Sequence, residues 1–112
     1  MRARQIKTRR YMKAVIAFGG LTVAIPCNAE PNVTAGKAFA QANCSRCHSI
    51  DKVTRSSLAI APPFRTLHLR YPVESLEEAL GEGIVTGHPS MPEFRLDPGQ
   101  VGDFIVFLKS LE

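Results

Sequence analysis

The sequence predicts an all-α domain of three or four helices, and three features of residues 30–112 support this fold class. Apolar residues recur at helical spacing near the carboxyl end of the chain. Capping residues and prolines stand where helices would begin. No segment shows the strict alternation of apolar and polar residues that is typical of a strand. The apolar stripe of the last helix comprises Val101, Phe104, Ile105, Leu108 and Leu111.

The first 29 residues have the features of an export signal. A basic head precedes an apolar run over residues 14–25, which is shorter than the roughly 20 residues of a membrane span. Cys27 and Ala29 are small residues at the −3 and −1 positions of a cleavage site. We expect cleavage after Ala29, a mature domain over residues 30–112, and a periplasmic location. The alternative is an uncleaved signal that tethers the protein to the membrane.

The charge of the predicted mature domain argues against nucleic acid as a partner. The whole chain carries a formal net charge of +4, but six basic and no acidic residues precede Glu30. The rest of the chain therefore has 8 basic and 10 acidic residues, and it lacks the basic excess that binding to a phosphate backbone requires. This near balance also predicts weak long-range steering, with apolar contact at residues 89–94 as the main docking force.

The first predicted helix covers residues 33–43, and either Asn32 or Thr34 can cap it. Residues 49–61 lack periodicity and predict a loop. Helical spacing of small and apolar residues predicts the buried face of this first helix. That face comprises Ala35, Ala38, Phe39 and Ala42.

The second half of the chain is punctuated by prolines. Pro62 and Pro63 predict an extended stretch before a short helix over residues 64–70. Pro72 suits the first turn of another helix, which ends at the glycines of residues 81–83. Residues 86–97 predict a loop. Asp97 then caps the last helix, which opens at Pro98.

The residues Cys44-Ser45-Arg46-Cys47-His48 form a C-x-x-C-H motif. Two thiols at this spacing can each add to a vinyl group of one haem, and the adjacent histidine can then ligate its iron. We therefore predict one covalently bound haem c, held by Cys44 and Cys47, with His48 as an axial ligand. A structural zinc site usually needs four ligands, but the predicted mature chain has no second cysteine pair. A redox-active C-x-x-C motif of the thioredoxin type lies beside a strand, and none is predicted here.

The predicted mature chain resembles the class I c-type cytochromes of the small bacterial monohaem type. The resemblance rests on Gly36, the CSRCH motif, Ala61-Pro62, Met91-Pro92 and Phe107-Leu108-Lys109, in this order. It implies the cytochrome c-like fold, in which the first and last helices cross and the loops enclose the haem. Gly36 matches the small residue at the crossing.

The resemblance also implies the sixth ligand of the iron. Met91 matches the axial methionine of the family, and it is the only methionine after the predicted signal. His88 is the rival ligand, and an open sixth position would instead favour peroxidase-like or gas-binding chemistry. His68 is predicted to lie near the edge of the haem.

Other residues are predicted to support the haem. The carbonyl of Pro62, or alternatively of Pro63, is expected to accept a hydrogen bond from His48. Arg65 and Arg70, with His68 and Tyr71, are candidates to hold the haem propionates. The predicted walls of the pocket are Phe64, Leu67, Leu69, Ile84 and Phe94.

These features together predict an electron carrier rather than an enzyme. Its partners would be a redox protein donor and acceptor, such as a membrane-bound respiratory complex or a periplasmic dehydrogenase. A haem module within a larger redox enzyme complex would use the same chemistry, and the sequence does not separate these two functions.

Overall fold

The computed structural model describes residues 19–20, 23–24, 29–84 and 90–112. Most of the predicted signal segment lies outside the described residues, as does His88. In the described part, three α-helices, α1 (Val33–Asn43), α2 (Leu76–Glu82) and α3 (Pro98–Lys109), are joined by 3₁₀ turns at Phe64–Leu69 and Val73–Ser75. These residues include no strand, so the predicted all-α class is confirmed. No described helix has the length and hydropathy needed to cross a membrane.

The crossing of α1 and α3 depends on the absence of a side chain at Gly36. A Cβ atom at this position would collide with the carbonyl oxygen of Asp103 and lie 2.8 Å from the Cβ of Phe107. The backbone N–H of Asn32 donates to Oδ1 of Asp103 at 2.6 Å, which ties the start of α1 to the same turn of α3. The predicted close approach at Gly36 is therefore confirmed.

The apolar face predicted for α1 is wrong. Gly36 and Ala40 are the buried residues of this helix, and Phe39 packs edge-on against Phe104 with ring centroids 5.5 Å apart. Burial of an alanine removes little apolar area from water, so alanine spacing only weakly determines which side of a helix faces the core. The alanines that were assigned to the core but are exposed are Ala35, Ala38 and Ala42.

Helix α3 begins with a capping box. Oδ1 of Asp97 accepts from the backbone N–H of Gln100 at 2.9 Å, and Oε1 of Gln100 accepts from the backbone N–H of Asp97 at 3.1 Å. Pro98 occupies the first turn, where a missing N–H costs nothing. All five residues of the predicted stripe are buried, so this stripe forms a large part of the hydrophobic core.

The segment after α2 is held against that helix by two backbone hydrogen bonds. Ile84 donates to the carbonyl of Phe94 at 3.2 Å, and Leu96 donates to the carbonyl of Leu80 at 2.9 Å. Gly83 makes the turn with φ of 111°, which a residue with a side chain rarely adopts. These bonds fix residues 90–96 at one edge of the domain, beside α2.

Candidate haem-attachment site

The attachment motif continues directly from the end of α1. The backbone N–H of Cys44 donates to Ala40 at 2.8 Å, and the N–H groups of Cys47 and His48 donate to Cys44 at 3.1 and 2.9 Å. This tight turn brings both sulfur atoms and the imidazole to one pocket. The two thiols are free.

The pocket lies between the attachment turn, α2, α3 and the segment 90–94. The cavity has a volume of about 220 Å³ and is open to solvent on one side. The described lining is almost entirely apolar, and none of its side chains is an aspartate, glutamate, lysine or arginine. The apolar lining fits a haem. The lining residues are Phe39, Asn43, Cys44, Cys47, His48, Leu58, Ala61, Pro62, Phe64, Leu67, Tyr71, Leu76, Leu80, Ile84, Ser90, Met91, Pro92, Phe94 and Phe104.

The imidazole of His48 has a fixed orientation. Its Nδ1 lies 2.8 Å from the carbonyl oxygen of Pro62, and because a carbonyl can only accept, Nδ1 carries the proton and donates. The ring also packs against Phe64, with ring centroids 4.9 Å apart. The carbonyl of Pro63, the alternative acceptor, instead accepts from the backbone N–H of Thr66 at 2.9 Å. The tautomer leaves Nε2 of His48 as the nitrogen with a free lone pair for a metal ion.

Ser49 links His48 to a network of polar groups beneath the attachment turn. Its side chain is only 5% exposed. Its backbone N–H donates to Oγ of Ser56 at 3.0 Å, and its carbonyl accepts from the N–H of Phe64 at 3.0 Å. Nη1 of Arg65 donates to Oγ of Ser49 at 3.2 Å and to the carbonyl of Thr54 at 2.6 Å. The network holds the residue next to His48 in place.

Of the four predicted propionate partners, only Tyr71 is among the described residues that line the pocket. Arg65 uses Nη1 to hold the loop at residues 49–54, including the carbonyl of Asp51 at 3.3 Å. Arg70 and His68 are exposed, whereas Tyr71 lines the pocket. Contact of either arginine with a propionate stays a prediction.

Met91 and Phe94 line the pocket from the segment that is bound to α2. Phe94 also packs edge-on against Phe39, with ring centroids 6.1 Å apart. Leu67 and Ile84 line the pocket as predicted. Leu69 was expected among these walls, but its side chain is 75% exposed, because it ends the 3₁₀ turn on the solvent side; that prediction is wrong.

Several pocket residues were not assigned to the pocket from the sequence. Leu58 comes from the loop after the motif, and its N–H donates to the carbonyl of Cys47 at 3.1 Å. Leu76 and Leu80 lie four residues apart on α2, so both side chains reach the same side of the helix. This i, i+4 spacing was a signal for the two leucines. Leu58 had none, since its loop lacks periodicity.

The environment of Cys44 argues against thiol redox chemistry. Burial raises the pKa of the Cys44 thiol to about 11 in the free chain, whereas redox-active thiols have a lowered pKa. Among the described residues, no three His, Cys, Asp or Glu side chains gather to hold a metal ion. The thiols are instead presented to an apolar pocket, where they can attach a cofactor.

A helical fold that presents a C-x-x-C-H motif to an apolar pocket defines a protein of the haem-binding, electron-transfer class. Comparison with protein families gives the particular family: the cytochrome c model matches residues 33–112, and the chain belongs to the cytochrome c family. Members of this family bind covalently attached haem c. No curated protein gives a significant match to the chain.

Proposed function

We propose that this protein is a periplasmic electron carrier whose haem iron is ligated by His48 and Met91. The observation that carries the proposal is that the imidazole of His48 and the side chain of Met91 both line the apolar pocket. A haem held by these two residues would supply a one-electron couple with an elevated potential. The residues of the chain would then attach the haem, orient its ligand His48 and shield the haem within apolar walls.

The attachment turn and its hydrogen bonds orient the proximal ligand. The carbonyl of Pro62 accepts from Nδ1 of His48, which fixes the ring and raises the basicity of Nε2. The buried Ser49 network holds the backbone immediately after His48. These contacts hold the imidazole in one orientation, which would keep the rearrangement that accompanies electron transfer small.

Among the described residues, the pocket walls offer no carboxylate and no imidazole other than that of His48. Peroxide chemistry requires a positioned proton donor or acceptor above the iron. The polar side chains among the described lining residues are those of Asn43, Tyr71 and Ser90, apart from the motif itself. This lining supports electron transfer.

The cellular setting of the proposal comes from the sequence. The basic head and apolar run that precede the motif support export to the periplasm. The donor and acceptor would then be redox proteins of that compartment or of the adjoining membrane, such as a respiratory complex or a dehydrogenase. The slight acidic excess of residues 30–112 disfavours nucleic acid.

The ligand assignment can be tested with two variants. We expect Met91→Ala to abolish the absorption band of methionine ligation, lower the reduction potential and let cyanide or azide bind. His88→Ala is the matched control, since it changes the rival ligand three residues away, and it should keep the band. The reverse pattern would assign the ligand to His88 and reopen the peroxidase-like alternative.

A further inference from the structure

Two short segments of the chain, the end of the attachment motif and the segment after the double proline, are joined by several contacts. The carbonyl of Pro62 accepts from Nδ1 of His48 at 2.8 Å. The ring of Phe64 packs against the same imidazole, with ring centroids 4.9 Å apart. The backbone N–H of Phe64 donates to the carbonyl of Ser49 at 3.0 Å. The orientation of His48 therefore depends on how firmly these two segments are held together.

Arg65 adds the contact that extends furthest from this junction. Its Nη1 donates to Oγ of Ser49 at 3.2 Å, and to the carbonyl oxygens of Asp51 and Thr54 at 3.3 and 2.6 Å. Ser49 directly follows the axial histidine, and Arg65 lies three residues after the proline whose carbonyl orients that histidine. Movement of the second segment away from the motif would therefore break the bonds of Nη1 together with the bond to the imidazole.

The hydroxyl groups beneath the motif form a chain of hydrogen bonds with one direction. Oγ1 of Thr54 donates to Oδ2 of Asp51, because a carboxylate can only accept. The single proton of this hydroxyl is thereby used, so Oγ of Ser49 donates to Oγ1 of Thr54 across their 3.0 Å contact. Oγ of Ser49 in turn accepts from Arg65. The chain runs from a guanidinium cation to a carboxylate anion, and networks of this kind strengthen each of their bonds.

We propose that Arg65 is a positioning residue for the haem ligand His48 and that its contacts with Ser49 and the loop help to set the reduction potential of the bound haem. The hydrogen bond to Pro62 makes Nε2 of His48 more basic, and a more basic ligand favours the oxidised iron. Contacts that keep the carbonyl of Pro62 at the imidazole therefore lower the potential. The proposal rests on the proposed function, because it requires a haem iron that is ligated by His48. Nη1 of Arg65 thereby has a task other than the predicted contact with a propionate.

Arg65→Lys tests the proposal without changing the net charge of the domain. Lysine has a shorter side chain and lacks the planar fork of a guanidinium, so its ammonium group cannot keep the contacts with Ser49, Asp51 and Thr54 together. We expect the potential of the haem-loaded protein to rise by about 28 mV, which is a threefold change in the relative stability of the two oxidation states at about 59 mV per tenfold. A role of Arg65 as a cation beside the haem predicts no rise, since the charge is kept.

Hydrogen exchange measures the bond itself. In the reduced, diamagnetic protein, the Nδ1 proton of His48 should exchange with solvent faster in Arg65→Lys than in the parent protein, because the bond opens more often. The backbone N–H of Leu108, which is 1% exposed on α3, reports global opening in the same sample, and its exchange should change much less. Equal acceleration of both protons would overturn the proposal, because a general loss of stability would then explain the result.

Arg55→Lys is the matched control. It makes the same conservative change on an exposed arginine that lies just beyond the loop carbonyls held by Arg65. Neither the potential nor the exchange of the Nδ1 proton of His48 should change in this variant. A rise equal to that of Arg65→Lys would show that the potential responds to any arginine of this region and would contradict the assignment.

Ser49→Ala tests the other end of the same contact. It removes the oxygen that accepts from Arg65, so it should also raise the potential, and it keeps the test open if Arg65→Lys does not fold. The double variant should shift the potential by less than the sum of the two single shifts, since both changes break one contact. Additive shifts would overturn the proposal.

The haem-loaded parent protein separates this inference from the proposed function. If it gives no reversible one-electron couple, the proposed function fails and this inference fails with it. If the couple is normal but Arg65→Lys and Ser49→Ala keep the potential of the parent protein, this inference fails alone.

Discussion

Nδ1 of His48 lies 2.8 Å from the carbonyl oxygen of Pro62, in a chain where the next residue is also a proline. A substitution at Pro62 leaves its backbone carbonyl in place as an acceptor, but it can make the position of that carbonyl less fixed. Pro62 has a fixed φ because of its ring, so Pro62→Ala should weaken the bond and make His48 a less basic ligand. We expect the reduction potential of the haem protein to rise. A tenfold change in the relative stability of the two oxidation states corresponds to about 59 mV.

Pro63→Ala is the matched control for this prediction. The carbonyl of Pro63 accepts from the N–H and the hydroxyl of Thr66 at 2.9 and 2.8 Å, so it serves the 3₁₀ turn rather than His48. Redox titration of both variants checks the assignment. Equal shifts in the reduction potential of the Pro62→Ala and Pro63→Ala variants would contradict the assignment. They would show that the potential responds to any gain in backbone flexibility at these two prolines.

A substitution at the helix crossing should be costly. Gly36→Ala places a methyl group against the carbonyl oxygen of Asp103 and the Cβ of Phe107. Overpacking of this kind costs about 1–3 kcal/mol and occasionally more. Because the nearest atom is a backbone oxygen of Asp103, the backbone of one of the two helices would have to move. Denaturant unfolding of the haem-loaded protein measures the loss.

The same substitution in α2 provides the control for the helix crossing. A Cβ atom at Gly81 meets nothing within 4 Å, and Gly→Ala within a helix stabilises by about 0.5–1 kcal/mol. We therefore expect Gly36→Ala and Gly81→Ala to shift stability in opposite directions. A Gly36→Ala protein as stable as the parent would contradict the close crossing.

Features set by neighbouring residues could be predicted from the sequence. The capping box of α3 depends on Asp97 and Gln100, three residues apart, and the stripe of α3 uses large side chains whose burial is strongly favourable. The bounds of α1 were also predicted correctly. Its buried face was not, because Ala35 and Ala40 are chemically alike and only the approach of α3 at Gly36 decides between them.

The site shows the same division. The attachment motif is contiguous, and its chemistry follows from its spacing. The pocket is assembled from segments far apart in the chain, so Leu58 and Phe104 become neighbours of one cavity through the fold alone. The side chain of Arg65 is oriented by three oxygen atoms of the 49–54 loop that accept from its Nη1. Two of these are backbone carbonyl oxygens, which every residue has, so the residue types of the loop do not predict this contact.

Export and haem attachment should leave a signature in the mass of the native protein. We expect a chain that begins at Glu30 and carries one haem through denaturing conditions, because both thioether bonds are covalent.

Cys44→Ala should lower the yield of folded protein sharply, since 83 residues form a core that is marginal without a staple. Ser45→Ala, in the same turn, should not. A full-length mass would contradict the predicted cleavage, and normal yield of a haem-free Cys44→Ala/Cys47→Ala protein would contradict the stapling role.

The carboxylate of Asp51 should contribute to acid stability. Its pKa is lowered from 3.8 to about 2, first by the hydroxyl of Thr54 and then by the N–H groups of Thr54 and Val53. Because the folded pKa lies below the unfolded value, the ionised carboxylate stabilises the fold fully above about pH 4, and this contribution is lost as pH falls toward 2.

Asp51→Asn removes that titration but keeps an oxygen that can accept from the backbone N–H groups of the loop. Between pH 4 and 2 the stability of the variant should therefore fall less steeply than that of the parent protein, although its stability at neutral pH is lower. Glu77→Gln is the control, because it removes the same charge from an exposed position on α2. Chemical denaturation at several pH values measures both slopes. Parallel acid slopes for Asp51→Asn and the parent protein would show that the Thr54 and Val53 bonds persist in the unfolded chain or do not stabilise the loop.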